Sequence, residues 1–254
     1  MQAMGDLTAQ AVATLLTSLR IAPMLAFGQP FTLLRMPTVA RVMIAMSLSA
    51  WLVSGYPVES WQSPALTSAL PGVAAGELLL GIALALALQL AFAAIQIAGR
   101  TVDIQAGFGL AMLADPTTRN NMPLVGSLFV YAAGAVFFAV GGMQDLLAIL
   151  AASLRAVPLG AVALRGGPVT LIEFFSSALA IAFGMVGIVL LVLFLLDLIL
   201  AYLSRTLPQM NVLFIGFQVK ALATILVVPL ALSASAALFL HLLRAAFDTM
   251  TGLF

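Results

Sequence analysis

Residues 169–204, VTLIEFFSSALAIAFGMVGIVLLVLFLLDLILAYLS, decide the fold class of this chain. Only two of these 36 residues, Glu173 and Asp197, carry a charge. As a helix the run would be about 54 Å long, whereas the hydrocarbon core of a bilayer is about 30 Å thick. An apolar run of this length is typical of a membrane helix and is too long for a strand or a buried core helix.

The composition of the whole chain agrees with this interpretation. Hydrophobic residues make up 63% of the 254 residues and charged residues 7%, against about 25% charged residues in ordinary soluble domains. Such a chain has too little polar surface to face water, which excludes a soluble globular domain. The formal net charge of +1 provides neither the basic surface of a nucleic-acid-binding protein nor an acidic tail. We therefore expect one membrane domain over residues 1–254.

Apolar runs long enough to span a bilayer recur along the chain. They occupy residues 7–27, 39–56, 73–98, 123–143, 169–204 and 212–247. The pattern predicts an all-α polytopic membrane protein of about six long, partly broken apolar helices arranged as helical hairpins. Pro229 predicts a kink in the sixth run, and the helical spacing in residues 144–157 predicts a short interfacial helix.

The third run and the five residues that follow it carry four polar residues at helical spacing, namely Gln89, Gln96, Arg100 and Asp103, which we call the polar stripe. Their separations of seven, four and three residues place them on one helix face. Polar groups in hydrocarbon are costly and normally turn inward, so we expect the stripe to face other protein or a water-filled path. The alternative is a helix end that emerges into water near Arg100.

Asp197 and Lys220 flank the predicted turn at 205–211 at matching separations, one lying eleven residues before Pro208 and the other eleven after Gln209. If the fifth and sixth runs form an antiparallel hairpin, the two opposite charges reach a similar depth. We predict that they form an intramembrane ion pair. Alternatively, Lys220 extends towards the interface and Asp197 meets another subunit.

A glycine-rich stretch, IQAGFGLAMLADP at 104–116, contains the bulky apolar residues Phe108, Leu110, Met112 and Leu113. Glycines interrupt or loosen a helix, and a narrow apolar constriction excludes water and ions. We predict that the loop at 107–114 is a candidate lumenal plug. Ordinary core packing of the same side chains is the alternative.

No enzymatic signature stands out in the sequence. It contains neither a P-loop nor an HExxH motif, it has no cysteine, and its single histidine, His241, lies in an apolar setting. The carboxylates are scattered singly, so the spacing shows no paired-carboxylate site. We expect no catalytic residue, no metal site and no cofactor.

The stretch from Asp197 to Lys220, DLILAYLSRTLPQMNVLFIGFQVK, resembles the FliR/SctT family of type III export-apparatus proteins, to which SpaR and YscT also belong. It is similar to the family pattern of an acidic residue, an Arg, a Pro-Gln-hydrophobic-Asn-Val turn, then Gly-Phe and Lys. Further matches are FGQPFTLLRMPTVARV at 27–42, Glu77 with Gly81, AIQIAG at 94–99, the loop ending in Asp115-Pro116, and SLRAVPLG at 153–160. Leu110 and Leu113 stand where family members carry aromatic residues, which puts an aromatic plug in doubt but not an apolar seal.

The resemblance implies a non-enzymatic subunit of the flagellar type III export gate. It would be a multi-pass membrane protein at the flagellar basal body. FliP-like and FliQ-like membrane subunits would complete a hetero-oligomeric channel in the bacterial inner membrane, and an FlhB-like protein would join them. Unfolded flagellar subunits would be exported through that channel. An injectisome export apparatus is the alternative setting.

A free-standing ion-coupled secondary transporter is the competing function. Glu77 and Asp197 lie within apolar runs and Asp103 lies five residues beyond one, and ionisable residues in such segments often serve as coupling sites. The sequence lacks the repeated halves that many transporters have. A membrane enzyme is a more distant alternative, since no nucleophile, metal cluster or cofactor motif supports one.

Overall fold

The structure is a computed structural model that describes residues 2–34, 36–62, 70–108, 123–161, 167–206 and 212–254. These described residues form eight α-helices and one short 3-10 helix at Phe31–Leu34, with no strand among them. The helices are α1 (Gln2–Phe27), α2 (Thr38–Gly55), α3 (Leu70–Gln105), α4 (Leu124–Ala139), α5 (Gly142–Ala156), α6 (Gly167–Thr206), α7 (Val212–Ala234) and α8 (Ala236–Thr251).

Five of the described helices are long and apolar enough to cross a membrane, namely α1, α2, α3, α6 and α7. The pair α4 and α5 is bent by 71° and raises the number to six if it counts as one span. The predicted all-α polytopic membrane protein with about six partly broken helices is therefore confirmed.

The predicted runs differ from the helices at two breaks. The run at 123–143 ends as a helix at Ala139, and Gly141, with φ of 81°, is the N-cap of α5, which corresponds to the short helix predicted at 144–157. Glycine adopts this left-handed conformation without the steric cost that a Cβ brings. The run at 212–247 is helical on both sides of Pro229 and has a break at Ser235, which the sequence did not indicate. The Ser235 hydroxyl lies 2.6 Å from the carbonyl oxygen of Ala231, one turn earlier, and 3.1 Å from that of Met185 in α6, so it is within donating distance of both.

The chain divides into two compact units. The first contains residues 1–90, 137–174 and 243–254. Within it, α1 and α3 approach so closely at Gly81 that a Cβ there would lie 2.5 Å from the carbonyl oxygen of Arg20. Helix α5 also belongs to this unit and buries Leu146, Leu150 and Leu154, while Asp145 in its first turn and Arg155 in its last suit the helix dipole.

The second unit contains residues 91–136 and 175–242. Here α3 and α4 meet backbone to backbone, because a Cβ on Gly99 would lie 2.4 Å from the Cα of Gly126. Small residues allow such close crossings between membrane helices. Phe129 of α4 and Phe239 of α8 are in ring contact, with centroids 6.2 Å apart. This unit contains the candidate site.

Candidate functional site

The end of α3 and the start of α4, which precede and follow residues 109–122 in the chain, are joined by side-chain hydrogen bonds; we call this junction the frame. Asp103, in the last turn of α3, is 2% exposed and accepts hydrogen bonds from the backbone N–H groups of Val125 and Gly126, at 2.9 and 3.1 Å. The first N–H groups of a helix have no partner within the helix, so this carboxylate caps α4 from a neighbouring helix. The crossing of Gly99 and Gly126 supports the same frame one turn away.

Helix α7 holds the other side of the α3 end. Lys220 forms an ion pair with Asp197 of α6, and its Nζ also donates to the backbone carbonyl of Gln105, the last residue of α3, at 3.3 Å. Carbonyl groups at a helix C-terminus lack helical partners and carry the negative end of the dipole. One ammonium group therefore joins α3, α6 and α7.

Gly107 follows α3 in a left-handed conformation, with φ of 88°. A Cβ at this position would lie 2.7 Å from the ring of Phe217, which stands one turn before Lys220 on α7. Phe108 comes next and is half-buried. The other three candidate plug residues, Leu110, Met112 and Leu113, lie outside the described residues.

A cavity of about 350 Å³ opens beside the ion pair. Its wall combines the two charged residues with Ser204 and apolar groups from α6 and α7. The lining residues are Asp197, Leu200, Ala201, Ser204, Gly216, Phe217 and Lys220. The Asp197 side chain is 43% exposed and that of Lys220 is 16% exposed, so the cavity side of the pair is the carboxylate side.

The four residues of the polar stripe lie in three environments. Gln89 is half-buried and its Oε1 accepts a hydrogen bond from the backbone N–H of Gln29 at 3.1 Å. Gln96 and Arg100 are exposed, whereas Asp103 is buried as the cap of α4. Helical spacing places the four residues on one side of α3, but only Gln96 and Arg100 are available there to a further partner or to water.

A buried polar cluster in the first unit was missed by sequence reasoning. Arg20 and Glu77 are 1% and 0% exposed, and the Arg20 Nε donates to Glu77 Oε2 at 2.7 Å. Arg20 also donates to the carbonyl of Val157 at 3.0 Å and to the hydroxyl of Ser153 at 3.4 Å. The backbone N–H of Gly160 donates to Glu77 Oε1 at 3.3 Å. The only signal in the sequence was one opposite charge in each of two apolar runs.

This Arg20–Glu77 cluster joins α1, α3 and the end of α5, and its geometry is that of a structural junction. Both charges are fully enclosed and each is held by hydrogen bonds, which is how buried ions are tolerated in proteins. Among the described residues, no group of three or more His, Asp and Glu side chains could hold a metal ion. His241 is exposed on α8.

Comparison with known families assigns the chain. Residues 11–246 match the family described as bacterial export proteins, family 1, which is most of the sequence. The chain belongs to this family.

Relatives in the family come from both flagellar and secretion systems. The chain is 30% identical over 182 residues to the flagellar biosynthetic protein FliR of Bacillus subtilis, covering 70% of each chain. It is 30% identical over 146 residues to the FliR protein of Escherichia coli, covering 57% of this chain and 56% of the relative. It is 27% identical over 161 residues to the secretion system apparatus protein SsaT of Salmonella typhimurium, covering 61% of each. The resemblance inferred from residues 197–220 is confirmed.

Proposed function

We propose that this chain is a subunit of the flagellar type III protein export gate and helps to form the channel through which unfolded flagellar subunits leave the cell. The observation that carries the proposal is the 30% identity to a flagellar biosynthetic protein over 70% of the chain, within a family of bacterial export proteins. The bacterial inner membrane, at the flagellar basal body, is the proposed location. An injectisome is the alternative setting, and the similarity to SsaT, over 61% of the chain, favours it less.

The proposed partners are FliP-like and FliQ-like membrane subunits and an FlhB-like export-gate protein. The exposed apolar surface of α6 and α7 supports association with other membrane subunits. Both helices are mostly exposed, because only 28% of the most apolar 18-residue stretch of α6 and 22% of that of α7 is buried. The exposed pair Gln96 and Arg100 supports the same conclusion, since an isolated lipid-facing arginine is costly. We assign this part of the polar stripe to neighbouring helices or to the channel.

The loop at 107–114 is the proposed apolar plug of the channel. Its support is indirect and comes from the anchors on either side of it. Asp103 holds the start of α4, and Lys220 and Phe217 contact the chain at Gln105 and Gly107. Such anchoring suits a short apolar loop that must keep its position in a closed pore.

The transporter alternative loses two of its three candidate coupling carboxylates. Glu77 is 0% exposed and is held by Arg20 and Gly160, and Asp103 is 2% exposed and is held by two backbone N–H groups. A coupling carboxylate must reach water to exchange its ion, whereas these two groups serve packing. Only Asp197 keeps an exposed side chain.

Gene deletion with complementation tests the proposed function. We expect a deletion strain to lose flagella and flagellar protein export, and the chain expressed in trans to restore both. An affinity-tagged copy should co-purify with FliP-like and FliQ-like subunits. Full motility in a deletion strain without a second copy would contradict the proposal, and transport of a small solute by the chain alone in liposomes would favour the transporter.

A loop deletion tests the proposed plug separately. Removing residues 108–113 should leave the complex assembled but permeable to ions in the absence of export substrate. Replacing exposed Leu7 of α1 by Ala serves as a control that should assemble and stay sealed. An intact complex that remains sealed after the loop deletion would reject the plug while leaving the export function in place.

A further inference from the structure

We propose that Lys220 is a positioning residue that couples the α6–α7 hairpin to the end of α3, and so sets the position of Phe108 in the export path. The contacts that make the coupling are the Asp197–Lys220 ion pair, the hydrogen bond from Lys220 to the Gln105 carbonyl, and the packing of Phe217 on Gly107. We call this set the α3 latch. The consequence for export rests on the proposed function, whereas the latch itself is a property of the chain.

Lys220 has two partners on two different helices. If its only role were to neutralise Asp197, one contact would be enough, yet its ammonium group also reaches the carbonyl at the C-terminus of α3. An ammonium group carries three donors and no acceptor, so a single lysine can bridge a carboxylate and a carbonyl. Hydrogen bonds from a charged donor are stronger than neutral ones, which makes this bridge a substantial link.

The α3 latch is made by two contact residues on one face of α7, Phe217 and Lys220. Phe217 and Lys220 are three residues apart and therefore neighbours on the helix surface. They contact Gly107 and Gln105, which are two residues apart in the chain, on either side of the point where α3 ends. The left-handed φ of Gly107 turns the chain at this contact, and the absence of a Cβ lets the Phe217 ring approach.

A movement of α7 would displace the segment of α3 that lies beyond its contacts with α4. Asp103 and the Gly99–Gly126 crossing tie α3 to α4 just before the latch. The segment from Gln105 to Phe108 is therefore the part of the α3 end that can respond to the hairpin. Loss of the latch should free this segment without separating α3 from α4.

A single engineered cysteine can report on the latch, because the natural chain contains none. Gln105→Cys changes a half-buried side chain but keeps the backbone carbonyl that Lys220 contacts. The measurement is the rate at which a water-soluble maleimide labels this cysteine in the assembled complex in membranes. We expect Lys220→Met to raise the rate about tenfold or more, as expected from the loss of a hydrogen bond to a charged group.

The double substitution Asp197→Asn with Lys220→Met separates positioning from charge balance. It removes both charges, so a lysine needed only to neutralise Asp197 would no longer be missed, and labelling would return to the natural rate. The latch predicts that the double variant labels as fast as Lys220→Met alone, because the Gln105 carbonyl still lacks its donor. Natural labelling in either variant overturns the proposal.

Phe217→Leu tests the contact of Phe217 with Gly107 without changing any charge. It removes the ring from Gly107 and should raise labelling at position 105, whereas Phe194→Leu, at a 52% exposed position of α6, should leave it unchanged. Equal labelling rates in the Phe217 and Phe194 variants would overturn the proposal that Phe217 is part of the α3 latch. The export assay of the deletion strain does not depend on these labelling rates. Failure of the proposed function and failure of the proposed α3 latch are therefore distinguishable.

Discussion

Removing one charge of the Arg20–Glu77 pair should destabilise the protein strongly, because the other charge stays buried without its partner. Among the described residues, Arg20→Met leaves the enclosed Glu77 carboxylate with the Gly160 N–H as its donor, and Glu77→Met leaves the enclosed guanidinium with the Val157 carbonyl and the Ser153 hydroxyl. Breaking a buried pair from one side typically costs about 3–5 kcal/mol. The two single variants should therefore lose about 6–10 kcal/mol in total.

The double variant should be much less damaged than that sum. It leaves no unpaired charge, and what it loses are the remaining hydrogen bonds to Ser153, Val157 and Gly160. Hydrogen bonds to charged groups contribute about 1.5–3 kcal/mol each, but replacing both members of a buried ion pair by apolar side chains is often neutral or stabilising by about 1–4 kcal/mol, so the double variant should lose only a few kcal/mol. The coupling free energy of the pair is then several kcal/mol.

The assay is equilibrium unfolding of the purified full-length chain in mixed detergent micelles, with abundance in the membrane as a second measurement. Arg244→Met, at an exposed position of α8, is the control and should change stability by about 0.5 kcal/mol or less. The stability of Arg20→Lys should fall between those of the natural chain and Arg20→Met. It keeps the charge, but an ammonium cannot reproduce the guanidinium fork that reaches Glu77 and Val157 together. A double variant that loses as much as the two single variants combined would refute the reasoning.

Two further predictions concern the frame at the start of α4. Gly99→Ala should force α3 and α4 apart, because its Cβ would lie 2.4 Å from the Gly126 Cα, and the thermal midpoint of the purified chain should fall clearly; Gly187→Ala, with no atom within 4 Å of the new Cβ, should leave it unchanged or raised. Asp103→Ala should lose the cap of α4, at about 0.5–2 kcal/mol, and speed amide exchange at Val125 and Gly126, whereas Asp103→Asn should retain part of the cap. A slow exchange in Asp103→Ala that matches the natural chain would contradict the capping role.

Hydropathy located the long helices well because nothing in a bilayer competes with them. The run at 39–56 corresponds to α2 at Thr38–Gly55, and the run at 169–204 to α6 at Gly167–Thr206. A chain in hydrocarbon must satisfy its backbone internally, so an apolar run of sufficient length has little choice but a helix. Breaks within such runs are a different matter. Ser235, at the break in the sixth run, contacts the Met185 carbonyl of α6, which is a tertiary contact that no local pattern records.

Charged pairs differ in how far the sequence reveals them. Asp197 and Lys220 were predicted to meet because a single turn between their helices fixes their relative depth, and the structure pairs them. Arg20 and Glu77 are 57 residues apart and have α2 between them, so no spacing rule relates them. The same limit applies to Asp103. Helical spacing places it on a face of α3, but only the start of α4 beside it explains why it is buried while Gln96 and Arg100 are exposed.

The outer surface of α6 shows what hydropathy cannot resolve, namely whether lipid or protein covers an apolar helix. Exposed large apolar side chains occur along α6 from Val169 to Leu203, a distance of about 51 Å along the axis. To place that length within about 30 Å of hydrocarbon, the helix would need a tilt of about 54°, beyond the 0–40° that membrane helices adopt. Exposed Glu173 and half-exposed Asp197 lie within the same stretch and are unsuited to lipid. Lipid therefore covers only part of this face, and the remainder supports the proposed contacts with other subunits of an export gate.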